Sequence, residues 1–351
     1  MKRIVLTGGG TAGHVTPNLA LLPVLQAEGW EVIYIGSENG IEKSLMEDAG
    51  VPYYSIATGK LRRYLSKQNI TDMFRVVKGV QEATKLLKKL KPDVVFSKGG
   101  FVAVPVVLGA KRNGIPVIIH ESDITPGLAN KIAMPFAKVV CTTFPETVQY
   151  TKGKGVHTGT PIRKELFEGQ KEKGLQKCGF TGQKPVVMLM GGSLGSVKLN
   201  DCLREILPKL CQDFDVIHLC GKGHLEPKLE KQQGYCQFEY ISEGLADLFA
   251  AADVLISRAG SNSISEFAAL QKPHLLIPLS AKASRGDQIL NAASYQKQGF
   301  AMVLEEENLT GEAMEQAVRN LYENRQQYCK AMAESTQKDG VAAVMAQIKK
   351  V

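Results

Sequence analysis

The sequence holds little that would bind a metal or cross-link the chain. Its seven cysteines, Cys141, Cys178, Cys202, Cys211, Cys220, Cys236 and Cys329, form no C-x-x-C pair. An odd, scattered set of this kind excludes a zinc ribbon and a disulfide framework, and reads as reduced cytosolic thiols packed as small core residues. There is no H-x-x-x-H and no D-x-D at a strand end, so metal ligands are not organised. No G-x-x-x-x-G-K-[ST] occurs, which removes the ATPase P-loop. Long apolar runs are missing too. Met1-Lys2-Arg3 leads into a stretch that meets glycines within a few residues, too short for the core of a signal peptide. The run from Phe101 to Ala110 contains Pro105 and reaches only about half of the ~20 residues a membrane-spanning helix needs. The chain is therefore expected not to be an integral membrane protein. Low-complexity segments and short-period repeats are absent as well.

What is present is an ordinary soluble composition, with 44% apolar and 22% charged residues over 351 positions, a length that favours two domains. Glycine is plentiful, 34 residues, as suits many tight strand-to-helix turns. The first half alternates strands (4–7, 32–35, 54–56, 94–97, 117–120, 139–142) with helices (14–28, 41–49, 69–90, 102–112, 128–133). Val156-His157-Thr158-Gly159-Thr160-Pro161 breaks the rhythm and marks the end of a first domain. Strands are then expected at 186–190, 215–220, 237–240, 254–257, 274–278 and 301–304, with helices between them. A helical tail runs from Gly311, with a break at Asp339-Gly340. Such alternation implies parallel sheets with right-handed crossovers. The charge is concentrated. Ten basic and two acidic residues lie between Lys60 and Lys91, equal to the whole net charge of +8. Apolar and aromatic residues interleave with them (Leu61, Tyr64, Leu65, Ile70, Met73, Phe74). That mixture suits an anionic membrane surface, or else a solvated basic helix face. No nucleic-acid recognition motif accompanies it.

Two strands run straight into glycine-rich turns. The first turn is Gly8-Gly9-Gly10-Thr11-Ala12-Gly13-His14 and the second Gly191-Gly192-Ser193-Leu194-Gly195. In such turns the backbone approaches a phosphate closely, and the following helix supplies N–H donors and positive potential. Two in tandem suggest a pair of nucleotide-binding folds facing each other, with a phosphate-bearing ligand in the cleft between. His14 follows the first turn, where a helix N-terminus favours a neutral imidazole able to take a proton from an alcohol, or else a ring that only bonds the backbone. Ser257-Arg258-Ala259-Gly260-Ser261-Asn262-Ser263-Ile264-Ser265-Glu266 opens a helix with a dense polar run. Part of it is explained by capping, and Glu266 can accept from a ribose diol. Asp287 and Gln288, His120-Glu121-Ser122-Asp123 and Ser97-Lys98-Gly99-Gly100-Phe101 also follow strands. In open α/β sheets the ligand crevice lies at those carboxyl ends. A Rossmann oxidoreductase is a competing reading of Gly8-x-Gly10-x-x-Gly13, weakened because Glu38 lies two residues past the position of the usual ribose acid.

Together, the run Gly8 to Pro17, His120 to Asp123, Gly191 to Gly195 and Arg258 to Glu266 resemble the MurG family of peptidoglycan N-acetylglucosaminyltransferases, glycosyltransferase family 28, over essentially the whole chain. The resemblance implies an α/β fold of the GT-B class, two Rossmann-like parallel-sheet domains separated by a deep cleft. Residues 1–160 would form an acceptor and membrane-associating domain, and 161–335 a UDP-GlcNAc-binding domain. A C-terminal helix at about 336–351 would return to the first. It implies inverting transfer of N-acetylglucosamine from UDP-GlcNAc to the C4 hydroxyl of the muramoyl sugar of lipid I, giving lipid II in peptidoglycan biosynthesis. No cofactor and no catalytic metal are implied. Partners would be UDP-GlcNAc, lipid I, the anionic inner membrane surface, and other proteins of cell-wall synthesis and division, with no nucleic acid. The location would be peripheral, on the cytoplasmic face of the cell membrane. By motif match Thr11, Ala12 and Gly13 line the donor side of the first turn, Arg163 and Ser193 meet the diphosphate, and the backbone of Ile241 meets uracil. Ser261, Asn262, Ser263, Ile264, Ser265 and Glu266 hold the nucleotide and Gln288 the sugar. Lys98, Gly99 and Gly100 lie on the acceptor side, and Arg62, Arg63 and Lys67 on the membrane side. His14 is the expected base, with Asp123 or Glu121 as rivals. Ala12 stands where many members carry glycine. Ser122-Asp123 stand where many carry Gln-Asn, so Asp123 replaces an amide. The alternatives are another GT-B glycolipid transferase with a different acceptor, or a catalytically inactive nucleotide-sugar sensor.

Overall fold

The computed structural model describes residues 1–59, 67–192, 195–241, 243–282, 284–335 and 339–351, apart from the side chains of residues 67–71. The chain divides into two compact units, Met1–Arg163 with Gln337–Val351, and Lys164–Thr336.

In the first unit the strands are β1 (Arg3–Thr7), β2 (Glu31–Ser37), β3 (Tyr53–Ile56), β4 (Val94–Ser97), β5 (Val117–Glu121), β6 (Val139–Thr142) and β7 (Gly155–His157). They pair in parallel in the order β3-β2-β1-β4-β5-β6-β7. The helices are α1 (Thr16–Ala27), α2 (Ile41–Asp48), α3 (Lys67–Leu90), α4 (Ala103–Arg112) and α5 (Leu128–Ala133). The strands read as continuous apolar runs because both faces are covered. Ile4 and Leu6 of β1 pack on one side with Leu21 and Leu25 of α1, and Val5 packs on the other with Leu87 of α3 and Val106 and Val107 of α4. Strand β7 occupies the segment that breaks the sequence rhythm. Three residues with a leading glycine are too short and too weakly apolar to announce an edge strand.

The second unit has β8 (Val186–Met190), β9 (Asp215–Leu219), β10 (Tyr235–Phe238), β11 (Val254–Ser257), β12 (His274–Leu276) and β13 (Ala301–Val303). All pair in parallel in the order β10-β9-β8-β11-β12-β13. Its helices are α6 (Lys171–Cys178), α7 (Val197–Asp213), α8 (Leu245–Ala251), α9 (Ser261–Ala269), α10 (Asp287–Lys297), α11 (Gly311–Glu323) and α12 (Arg325–Ala333). Residues Leu203, Leu207 and Leu210 of α7 and Met314, Val318 and Leu321 of α11 fill the core against β8 and β11. The helical tail is thus three helices, the last being α13 (Gly340–Ile348). Asp339 caps it, its carboxylate accepting from the N–H groups of Val341 at 2.9 Å and Ala342 at 3.2 Å. That cap is the physical content of the break at Asp339-Gly340. Val344, Met345 and Ile348 of α13 are buried in the first unit's core beside Leu21 and Leu25.

Candidate active site

In the first unit, three turns leave the carboxyl ends of the neighbouring strands β1, β4 and β5 and pack on one another. Gly100 has φ +82, and a Cβ there would stand 2.2 Å from the carbonyl oxygen of Gly9. Only glycine satisfies both the left-handed backbone and this approach. A Cβ on Gly10 would likewise strike the ring of Phe101 at 2.5 Å, and one on Gly99 would meet the amide of Asn130 at 2.9 Å. The first glycine turn, the Lys98–Phe101 turn and α5 are therefore in direct contact.

His14 does not start the helix. It closes a 3-10 turn at Ala12–His14, its N–H bonding Thr11 O at 3.1 Å, and α1 begins two residues later at Thr16. Pro17, which needs no N–H partner in the first helical turn, sets that start. The His14 ring is half-buried, with Nδ1 2.9 Å from the Thr11 hydroxyl. Behind the glycine turn lies a carboxylate that the sequence hides. Glu42 is fully buried and accepts from Gly10 N (3.3 Å), Ser37 N (3.2 Å) and the Ser37 hydroxyl. In the sequence it reads as an ordinary acid in the first turn of α2.

The turn after β5 is organised by Glu121. One carboxylate oxygen accepts from the N–H groups of Ser122 (2.8 Å) and Asp123 (3.0 Å), the other from Gly127 N (3.1 Å) and Asn130 Nδ2 (2.9 Å). Burial and the neighbouring Asp123 push its pKa up, while these bonds oppose the rise. With both oxygens engaged, Glu121 holds the turn together. Asp123 is half-buried, and its carbonyl accepts from the Thr147 hydroxyl at 3.1 Å. Lys98 is 1% exposed. Its ammonium donates to His120 Nδ1 at 3.0 Å and to the Ser122 hydroxyl.

In the second unit the turns after β8, β11, β12 and β13 are tied by one buried guanidinium. Arg258 Nη2 donates to Ser196 Oγ at 2.9 Å and to Glu306 Oε1 at 2.5 Å, while Nη1 donates to the carbonyl of Ile277 at 3.1 Å. The other oxygen of Glu306 accepts from Ser280 N at 3.0 Å. Burial pushes the Glu306 pKa up, but the Ser280 bond and the Arg258 charge outweigh it and hold the carboxyl below its ordinary value. Nothing in the acidic run Glu305-Glu306-Glu307 reveals from sequence which member turns inward. Asn291 of α10 is fully buried and donates to Ala259 O at 3.3 Å. Gln288 Oε1 accepts from Leu279 N at 3.1 Å, which leaves its NH2 as the donating end. Asp287 pairs with Arg285.

The turn after β8 has Gly195 at φ +76, where a Cβ would lie 2.2 Å from Cys220 O. Ser193, Arg62, Arg63 and the Lys67 side chain lie outside the described residues. In α9, Ser261 is buried, while Asn262, Ser263 and Glu266 are half-buried. Ile264 is fully buried and the Ser265 hydroxyl donates to Ser261 O at 2.7 Å. Any contact these last two make to a ligand comes through the main chain, not the side chain. Ile241 is half-buried and follows β10, and Arg163 ends the Met1–Arg163 segment of the first unit. Among the described residues, no group of three or more His, Cys, Asp or Glu side chains is arranged to hold a metal ion, and no helix is long and apolar enough to cross a membrane.

Two parallel Rossmann-like sheets, each with polar turns gathered at strand carboxyl ends, are the architecture of the GT-B class. Residues 4–142 match the glycosyltransferase family 28 N-terminal domain, and residues 186–348 its C-terminal domain. The chain is 59% identical over 350 residues to the UDP-N-acetylglucosamine–N-acetylmuramyl-(pentapeptide) pyrophosphoryl-undecaprenol N-acetylglucosamine transferase of Lachnospira eligens, covering 99% of both chains. It is 56% identical over 349 residues to the same-named protein of Geobacillus thermodenitrificans, covering 99% of this chain and 98% of that one. Among solved structures, that of Acinetobacter baumannii MurG matches with a TM-score of 0.78 and 28% identity, covering 100% of both chains. The chain belongs to glycosyltransferase family 28.

Proposed function

We propose that this chain transfers N-acetylglucosamine from UDP-GlcNAc to the C4 hydroxyl of the muramoyl sugar of lipid I, forming lipid II. The observation that carries this reading is full-length identity of 55–59% to relatives named for that reaction, joined to polar turns at the strand carboxyl ends of both sheets. The second unit binds the donor. The N-terminal turn of α9 presents Ser261, Asn262 and Ser263 to the nucleotide, and Glu266 accepts from the ribose hydroxyls. The main chain of Ile241 meets the uracil, and the Gln288 amide donates to the sugar. Arg163, Ser193 and the start of α7 take the diphosphate, where helix N-terminal N–H groups stabilise the charge that grows on departing UDP.

The first unit, with α13 returned to it, presents the acceptor, and Thr11, Ala12 and Gly13 meet the donor sugar. The acceptor oxygen attacks C1 opposite the leaving diphosphate, so the C1–O bond to phosphate breaks as the new β-1,4 bond forms. The acceptor proton passes to His14. When Nδ1 carries the ring proton and donates to Thr11, the basic lone pair stands on Nε2. Asp123 is the alternative base, and Glu121 holds its turn. Helix α3, with the basic window before it, faces the anionic inner leaflet and keeps the enzyme peripheral at the membrane. The test is transfer of radiolabelled N-acetylglucosamine from UDP-GlcNAc. Label on a lipid I analogue and not on diacylglycerol is expected. Label on diacylglycerol alone would assign a different acceptor.

A further inference from the structure

Lys98 is a buried charge of the first unit to which the proposed reaction gives no direct part. It leaves the end of β4 with 1% of its surface exposed and lies among groups from three other elements. His120 and Glu121 belong to β5, Asp123 to the turn that follows, and Cys141 to β6. Two of its ammonium contacts are defined, His120 Nδ1 at 3.0 Å and the Ser122 hydroxyl. Because His120 Nδ1 accepts from an ammonium, the ring proton sits on Nε2 and is donated to Gly159 O at 2.9 Å. Burial and the adjacent Lys98 charge hold the His120 pKa well below its usual value, so the ring is neutral. A hydrogen-bonded chain therefore runs from the segment after β7 through His120 and Lys98 to Ser122, the residue before Asp123.

An ammonium without solvent is costly unless it is bonded and balanced. Here the balance comes from Glu121 and Asp123. Remove the positive charge, and two carboxylates share one turn with no cation between them. The geometry points to Lys98 as a positioning residue whose buried ammonium fixes the Ser122–Asp123 turn at the acceptor side while touching neither substrate. This rests on the first unit being the acceptor side. Methionine has the length of the lysine stem and no charge, and arginine keeps the charge at every accessible pH.

The Lys98→Met enzyme is expected to lose about 10- to 100-fold in kcat, as expected of a misplaced group, with the UDP Kd unchanged. The pH profile carries the sharper test. Burial pushes the Lys98 ammonium down to about 8 against the pull of Glu121, Asp123 and Cys141. Wild-type kcat should therefore fall as pH rises through about 8, and in Lys98→Arg that fall should move to higher pH. Stability has the opposite sign. Between about 8 and the ordinary 10.5 the unfolded chain holds the proton that the folded one has released, so wild-type stability rises with pH relative to Lys98→Met. Falling turnover with rising relative stability separates positioning from unfolding, and wild type supplies the pH profile even where the arginine variant does not fold. A folded Lys98→Met enzyme with wild-type kcat, or a wild-type kcat level through this range, overturns the inference. Wild type that transfers no N-acetylglucosamine to the lipid I analogue would sink the functional reading, and this inference with it.

Discussion

Each of the two glycine-rich segments joins a strand to a helix, yet the groups beside them differ in charge. Behind the first lies the buried carboxylate of Glu42, which already accepts from the N–H of Gly10. Beside the second lies the buried guanidinium of Arg258, which donates to Ser196, the residue at the N-cap position of α7. Glu306 balances that guanidinium from its other side. A phosphate brought to the first turn would meet a like charge at short range in a poorly screened place. At the second it would meet helix N–H groups beside a buried cation. A glycine pattern alone therefore does not say which turn takes a diphosphate, and the residue behind the turn does. The comparison favours the second unit for the donor and leaves the first turn to neutral hydroxyls.

The largest expected effect is that of Arg258→Met. Breaking a buried ion pair leaves Glu306 uncompensated and costs about 3–5 kcal/mol, with loss of UDP binding, read by thermal unfolding and by calorimetry. The same pair makes an acid prediction. The Glu306 pKa is depressed in the folded state, so its stabilisation is present above the ordinary glutamate range and is lost as pH falls through the depressed value. Unfolding of Glu306→Gln should be less steep in acid than that of wild type. A UDP Kd unmoved by Arg258→Met would remove the electrostatic contrast between the turns.

His14→Ala comes next. Losing a general base costs about 10²- to 10⁴-fold in kcat, while the UDP Kd should stay within error, because the ring lies in the other unit. Equal turnover would transfer the role to Asp123. A parallel loss of UDP affinity would break the division of labour between the units.

Much of this was legible in the sequence. Parallel strands buried on both faces write themselves as short apolar runs. Val94–Ser97, Val139–Thr142, Val186–Met190 and Val254–Ser257 have the boundaries read from the sequence. What stayed hidden is side-chain direction. Glu42 and Glu306 are charged residues in polar stretches of the sequence and Lys98 follows an apolar strand, and only tertiary packing turns their side chains inward. Ile264 and Ser265 sit inside a polar motif, yet the helical period carries both toward the core.

Glu266→Ala should act more mildly. The side chain is half-buried in α9, so folding should be nearly unchanged. Hydrogen bonds from ribose hydroxyls to a carboxylate contribute about 1.5–3 kcal/mol, hence a UDP Kd raised roughly 10- to 100-fold. An unchanged Kd would move the ribose elsewhere in the second unit.

The smallest effect belongs to the surface of α3. Its inner face buries Ala83 and Leu87, while Met73, Phe74 and Val77 are 58%, 70% and 52% exposed. Apolar groups that meet solvent at such spacing, flanked by the exposed Arg75 and Lys78, suit the boundary between headgroups and acyl chains. Each basic residue near an anionic surface contributes about 1 kcal/mol, screened by salt. Lys78 contributes less than Arg75, since it pairs with Glu82 at 3.7 Å. Phe74→Ser combined with Arg75→Glu should therefore weaken co-sedimentation with phosphatidylglycerol vesicles, more at low salt than at high. UDP affinity should be untouched, because α3 belongs to the first unit. Undiminished co-sedimentation would leave α3 as a merely solvated helix and return the membrane contact to another surface.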